Sequence, residues 1–377
     1  MATIRKRKWL VGGVERSAWV CDYFDQAGTR RLKTFATKRE AEAWSVEALH
    51  EVKAGIHTAA SASITVGECF RRWIAHCEAE GLELSTIKQR QQHLRHHVAP
   101  FLENVKLSDL TLPRVHQFDA QLRDAGRSLA MRRKVATNLG TAIGHAMAQG
   151  LVAQNVAAGI RLRKDDRGTR GPLRAGVDFP NKAELKALLD NVDGRHRAFI
   201  VTLIFSGMRI SECRGLAWWS VDLDAGKIHV RQRADAWRQI GAPKSKAGSR
   251  DIPLVPMAVN ALRAWRLQCP KSELDLVFPN SRGRVQTRQD LQTRVFAPLQ
   301  EKCGMVVDSH AKYGFHSIRH AFASLAIEYF GWQPKQLQAV MGHSSITMTL
   351  DRYGHLFRNP EADAEAMARL EAAIVAA

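Results

Sequence analysis

Residues 161–177 set arginines and a lysine beside three glycines and a proline, with no apolar periodicity that a core could use. A chain interrupted in this way folds as separate bodies on the two sides of an exposed basic connector, here bounded at 163–179. Its 377 residues also exceed what one ordinary core organises. Different kinds of pattern lie on the two sides.

Upstream, Lys8 to Val11 and Ala18 to Phe24 read as strands, Asp25 to Gly28 as a turn and Arg31 to Phe35 as a returning strand. Thr37 and Glu40 have capping-box spacing and open a helix to about Lys53. The small-residue stretch Ala54 to Ser63 reads as a linker. A second capping-box pair, Thr65 and Glu68, precedes Phe70, Trp73, Ile74 and Cys77 at helical spacing. Further helices are predicted over about 85–98, 112–125 and 128–149. Downstream, Asn181 and Glu184 open a helix, and Arg197 to Phe205 forms a strongly apolar one. Lys227 to Gln232 alternates as a strand with Arg250 to Leu254 as its partner. Helices follow over about 256–268, 287–302, 317–330 and 334–341. After Pro360, Ala362, Met367, Leu370, Ala373 and Ile374 share an apolar stripe. The expected architecture is multidomain, mainly α with small β-sheets. It comprises an α+β unit over 1–58, an all-helical domain over 63–162, and a mixed α/β domain over 180–377 ending in a helix.

Lysine and arginine number 56 against 37 acids, a net charge of +19, and a surplus of that size favours a polyanionic partner. Its expected contacts are Arg5, Lys6, Arg7 and Lys8 at the N-terminus and Lys88, Arg90, Arg95, His96, Arg132, Arg133 and Lys134 on the helical domain. No apolar segment follows the basic start, and no uncharged run could span a bilayer. The expectation is a cytoplasmic, nucleoid-associated protein with no membrane partner. Cys21, Cys69, Cys77, Cys213, Cys269 and Cys303 are scattered without a C-x-x-C pair, which fits reduced thiols and not zinc or a disulfide scaffold. His93, His96 and His97 sit among Arg90 and Arg95, which repel a cation, and read as DNA-facing or structural. A phosphate-cradling G-x-x-x-x-G-K-[ST] loop is lacking. No metal and no cofactor are expected.

The chemistry lies in the last domain. Arg209 follows Ser206-Gly207-Met208 at the end of an apolar helix, and His316 and Arg319 share a helical face just before His320. Gly342-His343 precedes Arg352-Tyr353-Gly354-His355 by ten residues from histidine to tyrosine. Each fragment alone has an ordinary explanation: a capping histidine, a helix salt bridge, a core tyrosine. Together, in order and spacing over 180–360, they resemble the signature of the tyrosine recombinases, specifically the phage-type integrases. Residues 65–160 look like the core-DNA-binding domain of these integrases, and residues 1–55 like their arm-site-binding domain.

The resemblance implies a metal-free cut. Tyr353 attacks phosphorus and leaves a 3′-phosphotyrosyl bond, while the planar forks of Arg209 and Arg319 hold the non-bridging oxygens. His316 exchanges the nucleophile's proton, His343 donates to the phosphate, and Glu212 keeps the arginine and histidine oriented. The leaving 5′-oxygen takes its proton from a hairpin lysine, Lys246, with Lys244 as alternative and backbone contact. The implied partners are double-stranded DNA at core and arm attachment sites and a homo-tetramer on DNA, with room for a directionality or DNA-bending factor. The tail helix is expected against protein, on its own domain or a neighbouring protomer. The rival readings are an Xer-like resolvase of replicon dimers, a type IB topoisomerase and a catalytically silent DNA-binding regulator. The extra N-terminal unit opposes the resolvase, and the complete residue set opposes the regulator.

Overall fold

Alternation over the first 35 residues builds an antiparallel meander, β1 (Thr3–Val11), β2 (Val14–Phe24) and β3 (Arg30–Phe35). This computed structural model describes residues 2–25, 27–55, 57–59, 63–160, 162, 171–357 and 360–375. Both halves of the predicted capping box form at Thr37 and Glu40 and start α1 (Lys38–Lys53). Trp44 of α1 meets Tyr23 edge-on at 5.1 Å and so fastens the helix to the sheet. The stretch expected as a linker after α1 is anchored: His57 is buried, with Tyr23 Oη and Glu51 each 2.9 Å from its ring nitrogens. Residues 56 and 60–62 of that stretch lie outside the described residues.

The helical part comprises α2 (Val66–Ala79), α3 (Leu84–His93), α4 (Ala99–Leu102), α5 (Leu112–Asp124) and α6 (Leu129–Ala148). Phe70, Trp73, Ile74 and Cys77 all face the core, as their spacing predicts. Thr65 caps α2, but Glu68 does not close the box. It pairs instead with Arg71 and Arg72, which outcompete one backbone N–H. The single helix expected over 85–98 is split by a π-turn at Leu94–Val98. Pro100 supplies no N–H to the carbonyl four residues back, so the ladder widens there.

The C-terminal part opens with α7 (Lys182–Asn191), under a complete Asn181–Glu184 capping box, then α8 (Arg197–Ser206) and α9 (Ile210–Arg214). Short strands follow: β4 (Val221–Asp222), β5 (Lys227–Val230), β6 (Arg233–Ala234), β7 (Ile240–Gly241) and β8 (Arg250–Pro253). They form an antiparallel sheet in the order β4-β5-β8 and a separate β6-β7 pair. Next come α10 (Pro256–Arg266), α11 (Arg288–Leu291) and α12 (Ala297–Lys302), the last two separated by a π-turn just before Pro298. The pair β9 (Val306–Val307) and β10 (His310–Ala311) leads to α13 (Phe315–Phe330), α14 (Pro334–Met341), α15 (Ile346–Tyr353) and α16 (Pro360–Val375).

Helix α8 is apolar around its whole circumference and is correspondingly buried from Ala198 to Ile204. Each of its Phe, Ile, Val and Leu side chains removed from water contributes about 1.5–3 kcal/mol. Phe199 meets Phe315 edge-on at 5.9 Å, and Phe296 stacks on Phe315 at 4.9 Å, fixing the start of α13. The chain divides into two compact units, Met1–Thr169 and Arg170–Ala377. Of the expected connector, 163–170 lie outside the described residues. Its last part is ordered by Gly176 N–H donating to Phe179 O, and Phe179 is buried in the core of the second unit.

Candidate active site

The site is built at helix ends. Gly207 stops α8 in the left-handed conformation, with φ +59°, and Arg209 then sits at the N-cap of α9. Three residues on, Glu212 returns to it: Arg209 N–H donates to Oε2 at 2.9 Å and Arg209 Nη1 to Oε1 at 2.8 Å. Glu212 is 2% exposed and also takes both terminal nitrogens of Arg250, at 3.1 and 2.8 Å. Burial opposes its ionisation. The Arg250 hydrogen bonds and the charges of Arg250 and Arg209 outweigh that and hold its pKa below the usual carboxylate range. Its second partner is thus an arginine, where the sequence reading expected a histidine.

The C-terminal end of α14 organises three arginines at once. Val340 O accepts from Arg250 Nε, Met341 O from Arg319 Nη2, and Gly342 O from Arg209 Nη2 at 2.9 Å. Helix-terminal carbonyls lack intrahelical partners and carry the negative end of the dipole, so they suit guanidinium donors. Gly342 has φ +64°, and a Cβ there would lie 2.9 Å from both Ala247 O and Arg250 Nη1. Glycine at this position is therefore a steric necessity of the arginine cluster. Arg319 is buried, with its other terminal nitrogen on Gly207 O. Burial and then the Arg209 charge depress its pKa, so two like charges are held near each other. Such a pair is completed by an anion.

His343 is buried with Nδ1 2.9 Å from Thr349 Oγ1, and burial followed by Arg319, Arg209 and Arg250 lowers its pKa to about 4. A Thr349 hydroxyl that donates to Nδ1 selects the tautomer with its proton on Nε2, which then can donate to a phosphate. Tyr353 ends α15 with 2% exposure, and burial pushes its phenol up to about 12. Its hydroxyl lies 2.6 Å from Nδ1 of His320. His316, which the sequence reading gave to the tyrosine, is solvent-exposed and makes no hydrogen bond among the described residues. Partial desolvation, then Arg319, Arg209, Arg352 and Arg288, lower its pKa. Lys246 and Lys244 are both exposed in the β7–β8 connection. Lys246 starts the 3-10 turn to Gly248, beside Ala247, whose carbonyl lies against Gly342.

Sequence reasoning missed His320, Arg250 and Thr349 as members of this cluster. His320 was in the quoted motif but carried no role, and Arg250 read only as the start of the strand that pairs with Lys227 to Gln232. Among the described residues, no three or more His, Cys, Asp or Glu side chains gather as metal ligands. His93 is buried on Asn138 at 2.7 Å, His97 is buried, and His96 is exposed. No helix of the described residues is long and apolar enough to cross a membrane.

The expected DNA contacts divide. Arg5, Lys6, Arg7, Lys8, Lys88, Arg95, His96 and Lys134 are exposed. Arg90 lies over the Trp73 ring at 4.3 Å, Arg132 is paired with Asp119 at 2.6 Å, and Arg133 donates to Leu162 O at 2.8 Å. Those three have structural duties that their position on a polar helix face did not reveal.

Residues 179–359 match the phage integrase family, and residues 65–120 match the phage integrase N-terminal SAM-like domain. Tyrosine recombinase XerC of Xylella fastidiosa is 32% identical over 213 residues, which cover 55% of this chain and 64% of that protein. The chain thus spans under two thirds of the length of that relative. A tyrosine recombinase XerC-like protein of Caldanaerobacter subterraneus is 22% identical across 90% of this chain and 92% of its own. In fold, the Tn1549 transposon integrase in complex with a circular intermediate DNA matches with TM-score 0.66 at 23% identity, over 82% of this chain and 100% of that one. A lambda integrase dimer bound to a core site matches with TM-score 0.57 at 17% identity, over 91% and 93%. With a family match spanning the arginine, histidine and tyrosine motifs and a second match on the helical domain, the chain belongs to the phage integrase family of tyrosine recombinases.

Proposed function

We propose that the chain is a site-specific DNA recombinase, an integrase that breaks and rejoins DNA through a 3′-phosphotyrosyl intermediate to integrate or excise a phage or other mobile element. The carrying observation is the convergence of Arg209, Arg319 and His343, from three separate segments, at the end of α14, with Tyr353 of a fourth buried in the same cluster as Met341. Arg209 and Arg319 bind the scissile phosphate and stabilise charge that grows on it, with His343 as a third donor. Tyr353 attacks, and Lys246 protonates the 5′-oxygen. The covalent link conserves the energy of the broken bond, so rejoining needs no ATP. The XerC relatives favour a dimer-resolving variant of the same chemistry, and the basic β1 strand ahead of the helical domain favours integration with separate arm sites.

A nicked duplex carrying the attachment site, taken from repeats flanking the gene, tests the reading. The nick lets the 5′ fragment diffuse away, so the cleaved state accumulates as a denaturant-resistant protein–DNA band. Absence of that band on every flanking repeat would overturn the proposal. The lysine is tested on the same duplex with sulfur at the bridging 5′ position. Lys246→Ala is expected to cut the sulfur substrate at the wild-type rate and the oxygen substrate roughly 10²–10⁴-fold more slowly, because a thiolate leaves without a proton. Rescue in Lys244→Ala instead would exchange the two lysines.

Lambda integrase forms a tetramer on a Holliday junction, and a tetramer is proposed here too. The tail supports it: Met367, Leu370, Ile374 and Val375 of α16 are 53–81% exposed, an apolar stripe that its own domain does not cover. Ending the chain at residue 359 is expected to weaken complexes on paired sites more than on single sites. Equal weakening in gel-shift titrations of the two DNAs would remove the tail from assembly.

A further inference from the structure

We propose that His320, through Nδ1, takes the phenolic proton of Tyr353 as its oxygen attacks phosphorus. The inference rests on the recombinase reading and assigns within it a base that the motif spacing did not single out. Tyr353 Oη and His320 Nδ1 are 2.6 Å apart, within the range of a short hydrogen bond between the nucleophile and an acceptor. His316 lies one turn earlier on α13 with its ring 4.7 Å from that of His320, edge to face, and makes no hydrogen bond to the hydroxyl. Arg319 stands between them in sequence and points the other way, into the carbonyls of Gly207 and Met341. Consecutive residues on α13 therefore serve two ends of the reaction, Arg319 toward the phosphate and His320 toward the nucleophile.

Protonation states fit that direction of transfer. Burial, then His316, Arg352 and Arg319, lower the pKa of His320 to about 4, against an opposing contribution from Asp178. Neutral His320 with its proton on Nε2 presents a lone pair at Nδ1, which the phenol O–H fills. The charged or titratable groups around the ring are His316 and Arg319 on α13, Arg352 and Tyr353 on α15, and Asp178 ahead of α7. A phosphodiester anion bound beside Arg319 offsets the Arg319 part of that depression and so works toward a more basic His320 when substrate is present. The step balances. The Tyr353 O–H proton passes to Nδ1 as the O–P bond forms, the P–O5′ bond breaks, and O5′ takes the Lys246 proton. On rejoining, imidazolium returns its proton to the departing phenolate.

The test is single-turnover formation of the covalent complex on nicked attachment-site DNA, with the full chain, between pH 7 and pH 9. His320→Asn keeps an amide near the Nδ1 position, so it preserves a hydrogen-bonding partner and removes the base. It is expected to react roughly 10²–10⁴-fold more slowly at pH 7. Its rate should climb about tenfold per pH unit, because hydroxide must then remove the proton, whereas the wild-type rate stays nearly flat. A His320→Asn variant with a flat profile and near-wild-type rate would show a merely structural contact. A rising profile in His316→Asn and not in His320→Asn would return the role to His316. Should His320→Asn fail to bind the DNA, His320→Gln replaces it, and loss of binding in both would make His320 architectural and overturn the proposal. Wild-type protein that forms no covalent complex would remove the recombinase reading, and this inference with it.

Discussion

Tyr353→Phe is expected to abolish covalent attachment to DNA while leaving folding and DNA binding close to wild type. The ring is buried with Phe322, Ala323, Ala326, Leu337 and Met341, and phenylalanine keeps all of that packing. What is lost is one hydrogen bond to His320, a net effect of about 0.5–1.5 kcal/mol on stability. His320 is partly exposed, so water can replace the missing partner. The expected loss in chemistry is of another order, because in the proposed reaction the phenol oxygen is the atom that bonds to phosphorus. Thr349, the nearby hydroxyl on the same helix, is fully buried and committed to His343. Gel shifts on intact duplex should therefore superimpose for wild type and variant, while the denaturant-resistant band on nicked duplex disappears. A surviving band in the variant would mean that another residue attacks.

The reaction was more legible in the sequence than the fold that supports it. Arg209, Arg319, His343 and Tyr353 stand in short motifs that the sequence displays directly, and the structure brings them into one region, while His316 of the same motifs stays exposed and makes no hydrogen bond among the described residues. The caps at Thr37 and Asn181 were equally readable, since a side chain three residues away supplies the whole signal. Long-range partners were not. Arg250 lies in a basic hairpin whose composition reads as surface, yet it turns inward to Glu212, thirty-eight positions earlier. Arg90 is likewise drawn off a polar face by Trp73. Helix α15 was not among the expected elements: its β-branched Ile346, Thr347 and Thr349 weaken the local helical signal. What makes it helical is the Ser345 cap and packing against α14. Strands of two residues such as β6 and β7 are too short to show alternation at all. The His320 contact with Tyr353 joins residues 33 positions apart on two helices, and no local spacing carries it.

Glu212→Gln is expected to cost about 3–5 kcal/mol of stability, the scale for leaving a buried charge without its partner. The carboxylate accepts four hydrogen bonds, two on each oxygen, from Arg209 N and Nη1 and from Arg250 Nη1 and Nη2. An amide keeps one acceptor oxygen and turns an NH2 donor toward guanidinium donors, so at least one arginine contact becomes repulsive. The pKa of Glu212 is depressed in the folded protein, so its stabilisation is complete above the unfolded value of about 4.3. It is lost as the pH falls through the folded value. Urea unfolding should thus show a wide gap between wild type and Glu212→Gln at neutral pH that begins to narrow below about pH 4.3 and closes only below the depressed folded value, where both side chains are uncharged. Cleavage should suffer separately, because Arg209 then competes with Arg250 for a single amide oxygen and only its bond to Gly342 O is unchanged, so its fork is held less firmly. The double variant Glu212→Met with Arg250→Met separates the two effects. Replacing both buried partners by apolar groups is often neutral for stability, so much of the lost stability should return. Arg209 remains without its carboxylate, so cleavage should stay low. If cleavage recovers along with stability, Glu212 serves the fold alone and Arg209 is aimed by the end of α14.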